Sequence, residues 1–523
     1  MHSSEDYQRS FALTEYRRRT PSKPAAINGT TGESITYGEL DARSNKFARY
    51  MLAAGLRRGD HIAVLMENNL RFFEIMWAAL RVGLLITPLN RYSTVDDATY
   101  VILNCDARLV VSSLAMRDLA LHLTDKLGRC KMLMVDGCVE GWESYEAALS
   151  SFGSEPIADE WLGSIMLYSS GTTGRPKGIL RAQPLLKAAD GPAPDWKKLA
   201  QRYDFSANTI FLTGAPFYHG APCVYSLNVQ FHGGTIIFME KFDAIAALAL
   251  VERYRVSHSL WVPTMFVRML KAPAAERERF DLSSHRCAIH AAGPCAKEVK
   301  YRMIEWWGPI VEEFYGGSEG CGNTAIGSSD WLEHPGSVGR ATLGVLRICD
   351  EQGELLPSRS EGLVYFERDV RPFEYYKDPE KTRSAQHPQF ENWTTIGDIG
   401  YLDDEGYLYL TDRRAYTIIS GGVNIYPRTI EDALIQHPSV ADAAVIGIPN
   451  AEMGEEVKAV IELVQGVVAS TALAEELIHF VRGKVARYMV PRSIDFTSQL
   501  PRSQYGKMDK KALRQTYLNA LGG

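Results

Sequence analysis

The apolar pattern near the start of the chain predicts alternating helices and strands. Thr36 and Glu39 have the spacing of a capping box, ahead of a segment with apolar residues on one helical face. The runs HIAVLM (61–66) and LLITPL (84–89) have strand length, and an amphipathic helical pattern covers 70–81 between them. Because a strand, a helix and a second strand in succession favour parallel pairing, we predict a parallel α/β sheet here.

The same alternation continues along most of the chain. Strand-like runs are SIMLY (164–168), TIIFM (235–239), SLWVP (259–263) and VEEFY (311–315), and a helical pattern covers 244–254. We therefore predict that residues 1–412 form a large N-terminal α/β domain with parallel or mixed sheets.

The pattern changes near residue 400. A turn at 403–406 separates two strand-like runs within DIGYLDDEGYLYLTDRR. After it come ISGGVNIYP (419–427), a helical pattern from 427 to about 436, the strand-like runs VADAAVIGIP (440–449) and EVKAVIELV (456–464), and a helical pattern over 471–486. We predict that residues 417–523 form a small, mobile α+β domain, joined to the large domain by a hinge at 413–416.

Composition narrows the function classes. The chain has 523 residues and a net charge of −6, so it has no overall basic surface for a nucleic-acid partner. Its eight cysteines form no CxxC pair and its twelve histidines no HExxH motif, which argues against a disulfide scaffold or a histidine-built metal site. Neither a signal core nor a membrane-spanning apolar stretch is present in the sequence. We expect a cytoplasmic protein with no integral membrane segment.

The segment YSSGTTGRPKG (168–178) has the composition of a loop that binds oxyanions. Its glycines let backbone N–H groups approach closely, its hydroxyls donate hydrogen bonds, and Lys177 supplies positive charge. It is not a Walker A loop, because Lys177 is followed by Gly178 rather than by serine or threonine. A surface loop is the alternative for a shorter string, but an ordered pattern over eleven residues favours a phosphate site.

This segment makes the sequence resemble the adenylate-forming superfamily, which includes acyl- and aryl-CoA ligases, adenylation domains of peptide synthetases and luciferases. YSSGTTGRPKG matches the family's phosphate-loop signature without a departure. Further matches follow in the family's order: PFYHG (216–220), HAAGP (290–294), YGGSE (315–319), TIGD (395–398), DRR (412–414), ISGGVNIYP (419–427) and PRSQYGK (501–507). The sequence is most similar to a standalone acyl-CoA ligase, which implies ATP, Mg²⁺ and CoA as its cofactors and co-substrates.

The resemblance also implies which residues bind the nucleotide. The phosphate-binding residues are Ser169, Ser170, Gly171, Thr172, Thr173, Gly174, Lys177 and Ser318. The adenine- and ribose-binding residues are Gly293, Pro294, Tyr315, Gly316, Asp398 and Arg413. The implied catalytic residues are Lys507, Glu319, Thr172 and His219, and Glu319 is the implied Mg²⁺ ligand. By residue type alone, a core tyrosine and a surface ion pair remain the alternatives for Tyr315 and for the pair Asp398 and Arg413.

Small residues mark the other two predicted subsites. The implied acyl pocket consists of His219, Gly220, Ala221, Val262, Gly293 and Gly317, and the implied CoA tunnel consists of Ser420, Gly421 and Gly422. Small side chains in the acyl pocket indicate room for a bulky, branched, cyclic or medium- to long-chain carboxylic acid.

The hinge departs from the family pattern. The family carries Asp or Lys at the hinge position, whereas this chain reads Arg413-Arg414-Ala415-Tyr416. In the family the small domain rotates there, bringing Lys507 into the site for adenylation and the ISGGVN segment for thioester formation. Ala415 supplies no charge to stabilise either pose.

We expect an ATP-dependent acyl-CoA ligase that works through an acyl-adenylate. An aryl-CoA ligase, an amide-forming ligase that uses an amine acceptor, and a nucleotide-binding regulator with an inactive site are the alternatives. Residues 316–320 also fit the GxSxG pattern of a hydrolase, with Asp398 and His437 in the matching order, but CGNTAIGSSD after the serine is poor helix material. The sequence leaves a homodimer open.

Overall fold

The computed structural model describes residues 12–169, 175–182, 186–293, 295–413, 416–421, 423–450, 452–502 and 508–521. Backbone contacts divide the chain into two compact units. Unit 1 comprises Met1–Ser169, Arg175–Ile289 and Glu374–Lys377, and unit 2 comprises Ser170–Gly174, His290–Phe373 and Asp378–Gly523. The predicted domain limits and the hinge at 413–416 stay predictions, and Arg414 and Ala415 lie outside the described residues.

The helices follow the chain in this order: α1 Ala12–Arg19, α2 Tyr37–Ala53, α3 Leu70–Val82, α4 Val95–Asn104, α5 Arg117–Leu123, α6 Tyr145–Leu149, α7 Pro194–Tyr203, α8 Gly220–Phe231, α9 Ala244–Tyr254, α10 Pro263–Lys271, α11 Ala274–Arg277, α12 Lys297–Trp307, α13 Ser328–Glu333, α14 Pro379–Ser384, α15 Pro427–Leu434, α16 Thr471–Arg482 and α17 Lys510–Leu521. Along the described ranges, every helix is too short or too polar to cross a lipid bilayer.

The strands are β1 Pro24–Asn28, β2 Ser34–Thr36, β3 His61–Leu65, β4 Leu85–Leu89, β5 Ala107–Ser113, β6 Lys131–Val135, β7 Glu143–Ser144, β8 Ser164–Ile165, β9 Leu167–Ser169, β10 Lys177–Arg181, β11 Ile210–Thr213, β12 Thr235–Phe238, β13 His258–Trp261 and β14 Cys287–His290. They continue with β15 Val311–Gly316, β16 Asn323–Ile326, β17 Arg340–Leu343, β18 Val345–Cys349, β19 Gly362–Glu367, β20 Phe373–Tyr375, β21 Trp393–Thr394, β22 Asp398–Leu402, β23 Leu408–Arg413, β24 Ile418–Ser420, β25 Val423–Ile425, β26 Val440–Asn450, β27 Gly454–Leu463 and β28 Ser493–Thr497.

Unit 1 contains the predicted parallel sheet. Its strand order is β7-β6-β5-β3-β4-β8, and the pairs of β3 with β4 and of β3 with β5 are parallel. The helix α2 begins at the predicted capping box, where the Thr36 side chain accepts from the Glu39 backbone N–H and Glu39 bonds back to the Thr36 N–H. The prediction of a parallel α/β sheet in this region is confirmed.

The run SIMLY was expected to be one strand, and this expectation is wrong. The run splits at Met166 into β8, which pairs in parallel with β4, and β9, which pairs antiparallel with β10. An apolar run has the same hydrophobic pattern whether its residues belong to one sheet or to two, so the pattern does not predict the break. In a second, longer sheet, the strands β14, β13, β11, β12, β1 and β2 are neighbours in this order. The run SLWVP is also shorter as a strand than expected, because Pro263 begins α10.

Unit 2 is built largely from antiparallel strands. The pairs β15 with β16, β18 with β19 and β22 with β23 are antiparallel, and the last pair includes the predicted turn at 403–406. The C-terminal part has the sheet order β25-β24-β27-β26, with β28 parallel to β27. This mixture of antiparallel sheet and helices agrees with the predicted α+β character of the C-terminal segment.

The core of the C-terminal part forms where the apolar pattern placed it. Leu473, Leu477 and Val481 of α16 are buried and join one apolar cluster with residues of β26 and β27. The helix ends earlier than predicted, at Arg482, and Gly483 is its C-cap. Val485 lies beyond the helix end but still packs against the same cluster.

Candidate functional site

The base of the predicted phosphate loop is an antiparallel pair of strands in unit 1. Ser169 of β9 is opposite Lys177 of β10, and Tyr168 is opposite Gly178. A Cβ atom at Gly178 would lie 2.9 Å from the Tyr168 ring, so only glycine fits without displacing the tyrosine. Residues 170–174, which include Ser170, Gly171, Thr172, Thr173 and Gly174, lie outside the described residues.

Each of the two cations of this segment lies over an aromatic ring. The Lys177 ammonium lies 5.7 Å from the centroid of the Tyr375 ring, and the Arg175 guanidinium lies 5.1 Å from that of Tyr100. The Tyr168 hydroxyl donates to Asn104 Oδ1 at 2.6 Å, and burial raises the pKa of Tyr168. Tyr168 is therefore a structural support of the loop that stays neutral, rather than a group that exchanges protons.

The YGGSE motif occupies the hairpin between β15 and β16 in unit 2. Tyr315 and Gly316 end β15, and Ser318 and Glu319 lie in the connection to β16. A Cβ atom on Gly316 would collide with the Asn323 side chain of the partner strand. One on Gly317 would lie 2.9 Å from Glu319 Oε2 and 3.1 Å from Ile396. The glycines are therefore required by crowding on the inner side of the hairpin.

The predicted purine and ribose residues come together in unit 2. The Tyr315 hydroxyl donates to Asp398 Oδ2 at 2.7 Å, although the two residues are 83 positions apart. The Tyr315 ring lies 6.2 Å from that of Phe366 at an interplanar angle of 30°. In the sheet, Asp398 is the cross-strand partner of Arg413. One aromatic face, one buried carboxylate and the backbone of the predicted arginine thus share one place in the fold.

Glu319, the predicted magnesium ligand, is a buried carboxylate in the connection between β15 and β16. Only 8% of the residue is exposed, and its carboxylate lies so close to Gly317 that a side chain at that position would collide with it. Within the described ranges, no cluster of three or more His, Cys, Asp or Glu residues could hold a metal ion by itself. A single carboxylate suits Mg²⁺, which takes its other ligands from substrate phosphates and water.

A buried ion pair under this hairpin was not found by sequence reasoning. The Lys300 ammonium of α12 donates to Glu313 Oε2 at 2.6 Å, and it also lies 4.8 Å from the centroid of the Trp331 ring. Burial raises the pKa of Glu313, but Lys300 and His290 lower it, and the net shift is downward. Glu313 is two residues before Tyr315, so this pair fixes the strand that carries the predicted adenine-stacking ring.

His290 completes this buried group. Its Nε2 atom lies 3.7 Å from Glu313 Oε2, and burial lowers the pKa of His290 to about 4. His290 is therefore neutral near pH 7. It opens the predicted HAAGP motif, in which a Cβ atom added to Gly293 would meet no heavy atom within 4 Å, and Pro294 lies outside the described residues.

The PFYHG segment is held by a residue that the motif search passed over. Asn68 donates to the Ala215 carbonyl at 3.1 Å and to the Met239 carbonyl at 2.9 Å, and it accepts from the Phe217 N–H at 2.9 Å. His219, two residues later, is the N-cap of α8. Asn68 is thus the support of the His219 segment.

The predicted acyl-pocket residues divide between the units. His219, Gly220, Ala221 and Val262 belong to unit 1, where Gly220 and Ala221 form the first turn of α8 and Val262 is the N-cap of α10. Gly293 and Gly317 belong to unit 2.

The predicted CoA residues form the hairpin of β24 and β25. Gly421 has a φ of +57°, in the left-handed region, and its N–H donates to the Met453 carbonyl at 2.8 Å. Ser420 precedes it at the end of β24, while Gly422 lies outside the described residues. Ile419 and Val423 on either side are exposed by 56% and 45%. The hairpin therefore presents two apolar side chains to solvent, one on each side of the predicted CoA residues.

The hydrolase alternative is not supported by the fold. Ser318 lies between two antiparallel strands, not between a strand and a helix. Asp398 bonds to Tyr315, whereas His437 contacts Glu476 at 3.2 Å. Lys507 and Ala415 lie outside the described residues, so their predicted roles stay predictions.

Comparison with known proteins agrees with these observations. Residues 13–370 match the family described as AMP-binding enzyme, and residues 429–507 match the AMP-binding enzyme C-terminal domain. A long-chain-fatty-acid–CoA ligase of Mycobacterium tuberculosis is 30% identical over 509 residues, which cover 95% of this chain and 96% of the relative. An indoleacetate–CoA ligase of Aromatoleum aromaticum is 29% identical, with 92% and 93% covered.

A solved structure has the same fold. ATP-bound MatB from Rhodopseudomonas palustris is 29% identical and aligns with a TM-score of 0.79, over 97% of this chain and 99% of that one. The predicted fold class, a large α/β part followed by a smaller α+β part, is thereby confirmed. The chain belongs to the AMP-binding enzyme family, as an adenylate-forming ligase of the AMP-forming acyl-CoA synthetase type with ATP, Mg²⁺ and CoA as its cofactors and co-substrates.

Proposed function

We propose that the protein joins a bulky, branched, cyclic or medium- to long-chain carboxylic acid to CoA through an acyl-adenylate. In the first step a carboxylate oxygen attacks the α-phosphorus of ATP, and the bond to pyrophosphate breaks. In the second step the CoA sulfur attacks the acyl carbon, the bond to AMP breaks, and the thiol gives up its proton. The meeting of Tyr315 and Asp398 carries this proposal, because it supplies a stacking ring and a ribose acceptor together.

The residues of unit 2 bind and orient the nucleotide. Tyr315 stacks on the adenine, and Asp398 and Arg413 hold the ribose hydroxyls. Ser318 donates to a phosphate oxygen. Glu319 would hold the Mg²⁺, which when bound neutralises negative charge on the phosphates.

The residues of the 168–178 segment act on the phosphates. The hydroxyls and backbone N–H groups of residues 169–174 bind the phosphate oxygens, and Lys177 offsets their charge. The cation–π contact between Lys177 and Tyr375 of β20 supports this role, because it holds the ammonium beside β10, the strand that follows the loop. Lys507 brings a second positive charge between the carboxylate and the α-phosphate.

Two observations support an acid of substantial size. The relatives are named as ligases for long-chain fatty acids and for indoleacetate, both larger than short aliphatic acids. Open space at Gly293 and the small residues Gly220 and Ala221 are compatible with such an acyl group. His219 and Val262, at the N-caps of α8 and α10, would then face the acyl chain.

The CoA thiol is the proposed acceptor, with an amine as the second candidate. The exposed hairpin around Gly421, with its apolar neighbours Ile419 and Val423, supports a route for the pantetheine arm. An amide-forming ligase has no need of such a route. We further propose that the reaction takes place in the cytoplasm, where ATP and CoA are available.

A panel of acids tests the proposal. Acids from short aliphatic chains to steroid-like compounds are each incubated with ATP and Mg²⁺, and AMP is measured with CoA, with a set of primary amines, and with neither. The proposal expects AMP formation that depends on CoA and is greatest with large acids. Turnover with amines but not with CoA would favour the amide-forming alternative, and pyrophosphate release with no acid at all would contradict adenylation.

A further inference from the structure

The described residues on the two sides of the predicted adenylation lysine are paired with each other. Arg502 and Met508 form an antiparallel bridge, and the Asp509 N–H donates to the Pro501 carbonyl at 2.8 Å. Residues 503–507, which include Lys507, connect the two sides of this bridge and lie outside the described residues. The bridge therefore fixes the residues that immediately precede and follow this segment.

Two ion pairs hold the two sides of the bridge, one directly on β26 and the other on Glu431 of α15. On the N-terminal side, Arg502 pairs with Asp442 of β26. On the C-terminal side, the Lys510 ammonium lies 2.8 and 2.9 Å from the two carboxylate oxygens of Glu431. Glu431 Oε1 in turn accepts from the Val445 N–H of β26 at 2.6 Å. Since β26 is an eleven-residue strand in the C-terminal sheet, it gives both attachments a rigid reference.

Apolar packing supports the same base. Leu500, before the bridge, and Met508, within it, contact one cluster that includes Ala444, Ile446 and Leu513. Ala444 and Ile446 belong to β26 and Leu513 to α17. Apolar contacts therefore already hold the residues around the bridge, and the two ion pairs add contacts of defined geometry.

The Lys510 ammonium also contacts the last residue of the predicted hinge. It lies 5.3 Å from the centroid of the Tyr416 ring, and Tyr416 directly follows Ala415. The side chains of Lys510 and Glu431 are only 11% and 13% exposed. Because the pair is shielded from water, its charges are poorly screened and its geometry is well defined.

We propose that Lys510 is a positioning residue for adenylation. Through its contacts with Glu431 and Tyr416, it fixes residues 508–510, which follow Lys507, relative to β26 and to the last residue of the predicted hinge. This inference rests on the proposed function, in which Lys507 serves the first half-reaction. Loss of the Lys510 charge removes these contacts, so residues 508–510 are held less firmly and Lys507 is less often in the reactive position.

Two half-reaction assays on the full chain test the inference. Lys510→Met should lower kcat for pyrophosphate release by about ten- to a hundredfold, the range expected when a reacting group is misplaced by about 1 Å. KM for ATP and conversion of supplied acyl-adenylate to acyl-CoA should stay near wild type. Lys510→Arg keeps the charge and should restore kcat. The double variant Lys510→Met/Glu431→Gln leaves no unpaired buried charge and should be as slow as Lys510→Met.

Lys458 provides a matched control. Its ammonium also pairs with a carboxylate, that of Asp495 at 3.0 Å, and lies 4.9 Å from the Tyr517 ring, but these partners differ from Glu431 and Tyr416, which Lys510 contacts. Lys458→Met should therefore leave the ratio of the two half-reactions unchanged. Wild-type adenylation by Lys510→Met, or equal losses in both half-reactions, would overturn the positioning role. If wild type and Lys507→Ala release pyrophosphate at the same rate, the proposed role of Lys507 fails instead, and this inference fails with it.

Discussion

The hairpins β15–β16 and β24–β25 both place glycines between short antiparallel strands, yet the glycines meet different physical needs. In β15–β16, side chains at Gly316 or Gly317 would collide with Asn323, or with Ile396 and Glu319. In β24–β25, Gly421 is required by a φ of +57°, and a side chain there would meet only the flexible end of Met453, at 2.5 Å. The first hairpin is a packed part of unit 2, and the second presents apolar side chains to solvent.

This difference parallels the two half-reactions. A nucleotide bound next to a crowded, buried hairpin is held against groups that cannot move, which suits charge stabilisation. An exposed glycine turn suits a long, thin substrate that enters and leaves. We therefore expect changes in the first hairpin to act on adenylation and changes in the second to act on thioester formation.

The largest expected effect concerns Lys507. It tests whether residues close together in the chain serve the same half-reaction. Lys507 belongs to the same C-terminal part as Gly421, but we propose that it serves the same half-reaction as Glu319. Lys507→Ala should lose about 10²–10³ in the rate of pyrophosphate release, the usual cost of one preorganised electrostatic contact. It should still convert supplied acyl-adenylate to acyl-CoA at a near-normal rate, because that step does not bring two anions together. Equal slowing of both steps would mean that Lys507 stays in the site throughout.

The next effect concerns the first hairpin itself. Glu319→Gln should slow adenylation by about a hundredfold, because the phosphates lose the ligand of their bridging cation. Measurement of pyrophosphate release over a range of Mg²⁺ concentrations should show a requirement for more metal. Glu312→Gln, on the same hairpin but partly exposed, is the control and should change little. Adenylation within a few-fold of wild type in Glu319→Gln would make Glu319 a structural residue only.

Sequence patterns located most of the elements, but they did not find the supports of the site. The helix α9 has the predicted bounds, Ala244–Tyr254, because its apolar face and its neighbouring turns are local signals. Asn68, by contrast, acts through carbonyls 147 and 171 positions away. Lys300 and Glu313 are charged residues that the pattern assigns to the surface, and only their pairing explains their burial. The break at Met166 was missed for the same reason, because the choice between two sheets is a long-range property.

A smaller effect is expected in the second hairpin. Gly421→Trp forces an L-residue into left-handed backbone, which costs roughly 1–2 kcal/mol, and 1.4 kcal/mol corresponds to about tenfold in rate. Together with the bulk of the indole, this should slow thioester formation by about tenfold or more, while acyl-adenylate still accumulates. Gly466→Trp is the matched control, since Gly466 has a φ of +90° and open space around it. If Gly421→Trp lowers adenylation and thioester formation equally, the glycine has only a folding role.

The smallest expected effect concerns the buried group of His290, Glu313 and Lys300 next to the first hairpin. It is a change in thermal stability at acid pH. His290 faces Glu313 and Lys300, and burial lowers its pKa from 6.5 to about 4. The unfolded chain therefore takes up a proton near pH 6.5, whereas folded His290 stays neutral until about pH 4. The stability that His290 contributes is complete above pH 6.5 and is lost as the pH falls from 6.5 to 4, with about 1 kcal/mol gone by pH 5.5. We expect the Tm of wild type to fall by about 1 °C more than that of His290→Gln between pH 7.5 and 5.5. The difference between the two proteins isolates His290 from His258 and His285, whose pKa values burial also lowers, to about 4 and about 3. Identical acid shifts of Tm in the two proteins would show that His290 is protonated in the folded state at higher pH, and that the base of the first hairpin admits water.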